Sequence, residues 1–115
     1  MALSYSTSKK DELLIFTINT ETINQANQGE LKEAIVMEFS EDCEHLIVDL
    51  SNVREMDSSG LGVLLFGKRL AHSRNGEMFL VGVAPNIENM MKIAQLSRSF
   101  DFFDTVDEAI SSLQE

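Results

Sequence analysis

Asp57, Ser58 and Ser59 stand directly ahead of Gly60, Leu61 and Gly62, and an apolar helical pattern runs on from them to about residue 74. Two hydroxyls behind a carboxylate at a strand-to-helix turn support two kinds of chemistry. One is capping: the first backbone N–H groups of a helix lack intrahelical acceptors, and a serine oxygen that accepts from one of them contributes about 1 kcal/mol. The other is covalent modification. A phosphoryl group on a serine at a helix start meets unpaired amides and the positive end of the dipole, so the fold carries it without melting. It adds about −1.5 to −2 charges beside Asp57 and repels an acidic or apolar partner surface. A penalty of about 3 kcal/mol weakens binding on the order of a hundredfold, enough for a switch.

Other chemistries fit this sequence less well. Gly60, Gly62 and Gly67 do not complete a dinucleotide fingerprint, because Leu65 occupies the place of its third glycine, and no G-x-x-x-x-G-K-[ST] loop occurs. Ser59 lacks the preceding glycine of a nucleophile elbow, and neither His45 nor His72 has an arrangement that identifies a base. Cys43 and His45 read as structural, since a catalytic pair is defined in space and their closeness in sequence suits an ordinary loop and strand edge. The acidic residues are scattered without EF-hand order and read as solvated surface. No catalytic residue, cofactor or metal is expected.

The elements that position the turn follow from composition and periodicity. A chain of 115 residues, 43% of them hydrophobic and only one proline, fits one domain over residues 1–115. Nineteen acidic against nine basic residues give a formal charge of −10, which opposes binding to nucleic acid or anionic lipid and favours protein partners. One cysteine excludes an internal disulfide and suits a reducing compartment. Residues 1–10 lack the pattern of a signal peptide, and no apolar run reaches the roughly 20 residues of a membrane span, so a cytoplasmic protein without direct membrane insertion is expected. The acidic surface suggests a monomer or weak dimer.

Residues 13–18 (LLIFTI) read as a strand, with a weaker strand at 4–7 and a polar turn (SKKDE) between them, hence an opening hairpin. Residues 24–39 turn helical, with Leu31, Ala34, Ile35 and Phe39 at spacings of three and four. The run HLIVDL at 45–50 suits a strand covered on both faces. After the DSSGLG helix, Asn75 and Gly76 supply a helix stop, residues 77–83 resume a strand, and Pro85 opens a third helix. Residues 100–103 form a short strand, and Thr105 with Glu108 has capping-box spacing for a last helix. The order β-β-α-β-α-β-α-β-α predicts an α/β fold: a mixed, mostly parallel sheet covered by about four helices, with an N-terminal β-hairpin. In the second helix Leu61, Leu64, Leu65 and Ala71 form one stripe, and Val63, Phe66 and Leu70 another. The second stripe packs on a neighbouring helix or forms a contact surface beside Ser58. Met90 and Met91 read as core filling.

The stretches IVDLSNVREMDSSGLGVLL, GEMFLVGV and MMKIAQLSRSFDFFDTVDEAI resemble the STAS domain of bacterial anti-sigma factor antagonists from about residue 45 onward. The resemblance implies a non-enzymatic transcription regulator. In that family the first serine after the aspartate is phosphorylated by a partner that is both anti-sigma factor and serine kinase, and a serine phosphatase reverses it. That role falls on Ser58, with Asp57, Ser59, Gly60, Leu61 and Gly62 shaping the docking site. The unphosphorylated form would bind the kinase and free the sigma factor. The chain departs from the family pattern at residues 19–25, where many relatives carry a Gly-x-Leu-Asp-like turn, and at Glu55, where relatives often have an apolar residue. The alternative is a STAS scaffold or accessory subunit of a transporter or signalling complex, in which DSSGLG is an unphosphorylated docking turn.

Overall fold

The computed structural model describes residues 3–114; Met1, Ala2 and Glu115, the ends of the expected 1–115 domain, lie outside the described residues. Strands β1 (Tyr5–Lys10) and β2 (Leu13–Ile18) form the opening antiparallel hairpin, from Tyr5 opposite Ile18 to Lys10 opposite Leu13. The expected first strand at 4–7 is too short and the expected turn too long. Residues 8–10 continue the strand, and the turn is only Asp11 and Glu12, with Asp11 at φ +57°, a left-handed conformation that aspartate tolerates.

Three further strands extend the sheet in parallel: β4 (His45–Asp49) beside β2, β6 (Met78–Val81) beside β4, and β7 (Asp101–Phe103) beside β6. The spatial order is β1-β2-β4-β6-β7. Helices α1 (Gln28–Glu38), α2 (Ser58–His72) and α3 (Pro85–Ile93) contribute Leu31, Leu64 and Met91 to the large core on one face, where each wholly buried apolar side chain stabilises by about 1.5–3 kcal/mol. Helix α4 (Val106–Leu113) covers the other face through Ala109, Ile110 and Leu113. The uninterrupted apolar run of β4 is explained by this sandwiching: Leu46 and Val48 enter the large core and Ile47 the α4 side. The mixed sheet, the hairpin and the four helices agree with the expected architecture.

Two short strands were not legible in the sequence. Thr22–Ile23 (β3) and Glu55–Met56 (β5) pair in parallel as a separate ribbon, and two residues are too few to show a period. The first helix also starts four residues later than expected. Asn27 is buried, its amide donating to the Thr22 carbonyl at 2.8 Å and its Oδ1 accepting from Asn24 N–H at 2.9 Å. These side-chain bonds hold residues 24–27 as a turn in competition with helix. At the last helix Thr105 Oγ1 accepts from Glu108 N–H at 3.1 Å, as a capping residue should, but the Glu108 carboxylate takes the Thr105 hydroxyl instead of its backbone N–H.

Candidate functional site

The β3–β5 ribbon delivers the chain to α2 in an extended conformation, with Asp57 at φ −98° and ψ −177°. Asp57 N–H donates to the Ile23 carbonyl at 3.1 Å, which fixes the residue against β3. Asp57, not a serine, is therefore the N-cap. Its Oδ1 accepts from Ser59 N–H at 3.0 Å and Gly60 N–H at 3.4 Å, and also takes the Ser59 hydroxyl; its Oδ2 accepts from Gln25 N–H at 3.1 Å. The expectation of a serine cap fails because the carboxylate offers two charged oxygens to the amides of the first turn and the turn at residue 25, whereas a hydroxyl offers one neutral oxygen. Ser59 becomes a donor that orients the cap. Ser58 is left as the first helical residue, exposed, with its hydroxyl unengaged among the described residues.

The hydrogen bond from Ser59, reinforced by the backbone amides of Gly60, Ser59 and Gln25, holds the Asp57 carboxyl below the usual carboxylate range against a weaker opposing effect of burial. A carboxylate depressed in the folded state stabilises above its unfolded pKa, and that contribution disappears as pH falls through the folded value. Asp57→Asn is accordingly expected to lower the denaturation midpoint at neutral pH and to flatten its fall in acid, below about pH 4. Parallel denaturant titrations of the two proteins across that range would show it; identical acid limbs would mean that Asp57 does not carry the effect.

The remaining expected site residues divide by exposure. Gly62 is exposed beside Ser58, while Gly60 and Leu61 are buried beneath that surface. A Cβ on Gly60 would lie 2.4 Å from Met56 Cγ, which accounts for that glycine by packing. Gly62 has nothing within 4 Å of an added Cβ. Packing does not explain it. Farther along α2 the expected division into two stripes breaks at Val63, which is buried with Leu61, Leu64 and Ala71. Phe66 is half-buried with Lys32 Nζ 4.6 Å over its ring, so this part of the second stripe turns toward α1.

The segment at residues 19–25 adds what the sequence did not reveal: Gln25 N–H bonds Asp57, and buried Asn27 locks the turn that presents it. Residues 24–27, expected as the start of the first helix, form that turn instead. Glu55 is exposed on β5, and Arg54 Nε lies 3.5 Å from Glu21 in an exposed pair of little energetic weight. Cys43 is buried, and His45 Nδ1 already accepts from Glu77 N–H at 3.1 Å, which gives both structural positions. Met91 is fully buried and Met90 partly so.

Comparison with known proteins places this arrangement. The STAS domain model matches residues 4–109. An anti-sigma F factor antagonist of Paenibacillus polymyxa is 33% identical over 72 residues, which span 63% of this chain and 62% of that relative's own length. The crystal structure of a candidate anti-sigma factor antagonist from Thermotoga maritima superposes with a TM-score of 0.88 at 25% identity, covering 96% of this chain and 95% of that one. The Bacillus cell fate determinant SpoIIAA, 18% identical, shares the fold in its unphosphorylated form (TM-score 0.74, 98% of each chain) and its phosphorylated form (TM-score 0.73, 96% of this chain and 99% of that one). With residues 4–109 matched by that model, nearly the whole length, the chain belongs to the STAS domain family.

Proposed function

We propose that this protein is an anti-sigma factor antagonist, a non-enzymatic regulator of transcription whose unphosphorylated form binds an anti-sigma factor with serine-kinase activity and so releases a sigma factor. Ser58 is the phosphoacceptor. The observation that carries the reading is the division of labour at the helix start: Asp57 does the capping, which leaves the Ser58 hydroxyl exposed and free of any structural duty. The name of the Paenibacillus polymyxa relative supports the class of partner. The existence of SpoIIAA structures in both forms supports a fold that tolerates a phosphoryl group. The kinase supplies ATP, metal and catalytic base, a serine phosphatase resets the switch, and the exchange takes place in the cytoplasm.

The test is a pull-down from source-cell lysate with the unphosphorylated protein as bait, followed by incubation of the captured material with ATP and mapping of the phosphate. Capture of an ATP-binding serine kinase and phosphate on Ser58 support the reading. Capture of transporter or scaffold components without a kinase assigns DSSGLG to a docking turn and overturns it.

Gly62 gives a second prediction. Gly62→Ala is expected to stabilise α2 by up to about 1 kcal/mol, since alanine is the better helix former and the space is open. It should at the same time weaken kinase binding, because the added methyl projects into the docking surface beside Ser58. Thermal melts and binding titrations on one preparation separate the two effects; unchanged affinity would remove Gly62 from the docking surface.

A further inference from the structure

Strand β1 is an open edge of the sheet: β2 pairs one side, and among the described residues no strand pairs the other. It runs six residues without proline, all but Tyr5 exposed, and such an edge presents unpaired N–H and C=O groups to any strand that approaches. Next to it Leu3, Tyr5, Ala34 and Met37 line a groove of about 230 Å³, and Met37 is 71% exposed. Glu30 and Glu33 line the same groove, and Glu38 accepts from the Tyr5 hydroxyl at 3.3 Å. This end of β1 is acidic and apolar. Toward the other end Lys9 lies on the same α1-facing side as Tyr5, since side chains alternate along a strand, and its Nζ reaches Ser40 Oγ at 2.9 Å beside Asp42.

We propose that the β1 edge and its groove pair with a second copy of this chain, antiparallel, about a two-fold axis at Thr7. Pairing centred on Thr7 sets Tyr5 opposite Lys9 of the second copy, so each lysine enters the acidic groove of the other molecule. The two-fold axis repeats the contact, which makes the edge complementary to itself. Met37 and Leu3 lose exposure at the same seam, and two five-stranded sheets become continuous. The charge pattern favours a second copy over an unrelated strand, because the lysine and the glutamates that match lie on one surface. The small groove makes the association weak, below the standard size of a stable complex.

Sedimentation equilibrium over roughly 10 μM to 1 mM, the range of weak complexes, tests this with a charge exchange. The wild-type mass is expected to rise toward twice 12.9 kDa. Lys9→Glu alone and Glu30→Lys/Glu33→Lys alone should each associate at least about tenfold more weakly, through repulsion of like charges at the seam. An equimolar mixture of the two variants should recover the wild-type association, which misfolded proteins would not do. A wild type that stays monomeric at about 1 mM, a variant that self-associates like the wild type, or a mixture that fails to associate overturns the proposal. Ser58 lies on α2, outside the seam, so Ser58→Asp should leave the association unchanged and the two proposals fail independently.

Discussion

Ser58→Asp is expected to weaken binding to the kinase partner on the order of a hundredfold, about 3 kcal/mol, while Ser58→Ala binds like the wild type. The argument rests on where the new charge goes. An anion at a helix start is ordinarily welcomed by free amides, but here the Asp57 carboxylate already holds Ser59 N–H, Gly60 N–H and Gln25 N–H. Charge placed on residue 58 finds at most its own N–H and otherwise projects into solvent beside Asp57. The cost therefore falls on the partner, which must bring its surface against two adjacent negative groups and strip their water. The fold itself loses little, since acidic side chains are accommodated in the first turn of a helix. Calorimetric titration against the purified kinase, with circular dichroism of each variant, measures both halves of the expectation. Equal affinity of the alanine and aspartate variants would remove Ser58 from the switch.

The same residues show how much of the molecule was legible beforehand. Long apolar runs identified β2 and β4, because burial on one or both faces leaves a pattern that few alternatives share. The turn at Asp57 was legible as a site of capping or modification, since carboxylate, hydroxyls and glycines at a helix start are chemically restrictive. Which group caps was not legible: Asp57 and the serines all qualify locally, and the choice is made by Gln25, thirty-two positions away, together with the β3 carbonyl that fixes Asp57. The β3–β5 ribbon and the turn at residues 24–27 escaped for a related reason. They are held by tertiary backbone pairing and by a buried asparagine, neither of which imposes periodicity. Gly60 and Gly62 looked alike in sequence, and only the neighbourhood of each Cβ separates a packing glycine from an open one.

The largest loss of stability is expected at Gly76, far from Ser58 in the chain and just beyond the last turn of α2. There Asn75 takes the left-handed conformation at φ +62°, and Gly76 N–H closes the helix end on the Ala71 carbonyl at 2.9 Å. The glycine is required by close approach, not by its φ: an added Cβ would stand 1.7 Å from the Glu44 carbonyl oxygen. That carbonyl has no room to withdraw. Glu44 and His45 N–H both donate to the Glu12 carbonyl, at 2.7 and 3.1 Å, and Leu46 N–H donates to the Glu77 carbonyl at 2.9 Å. Relieving the clash means separating the start of β6 from β4 or β4 from the hairpin, with loss of the backbone bonds that join the starts of the sheet's central strands. Gly76→Ala should therefore cost about 3 kcal/mol or more, a large share of the roughly 5–15 kcal/mol that holds a domain folded. Its melting midpoint should drop on the order of 10–20 °C. Gly29→Ala is the matched control, because nothing lies within 4 Å of its Cβ and α1 gains a better helix former. A Gly76→Ala midpoint within about 2 °C of the wild type would overturn the close approach of the helix stop to the Glu44 carbonyl as the reason for this glycine.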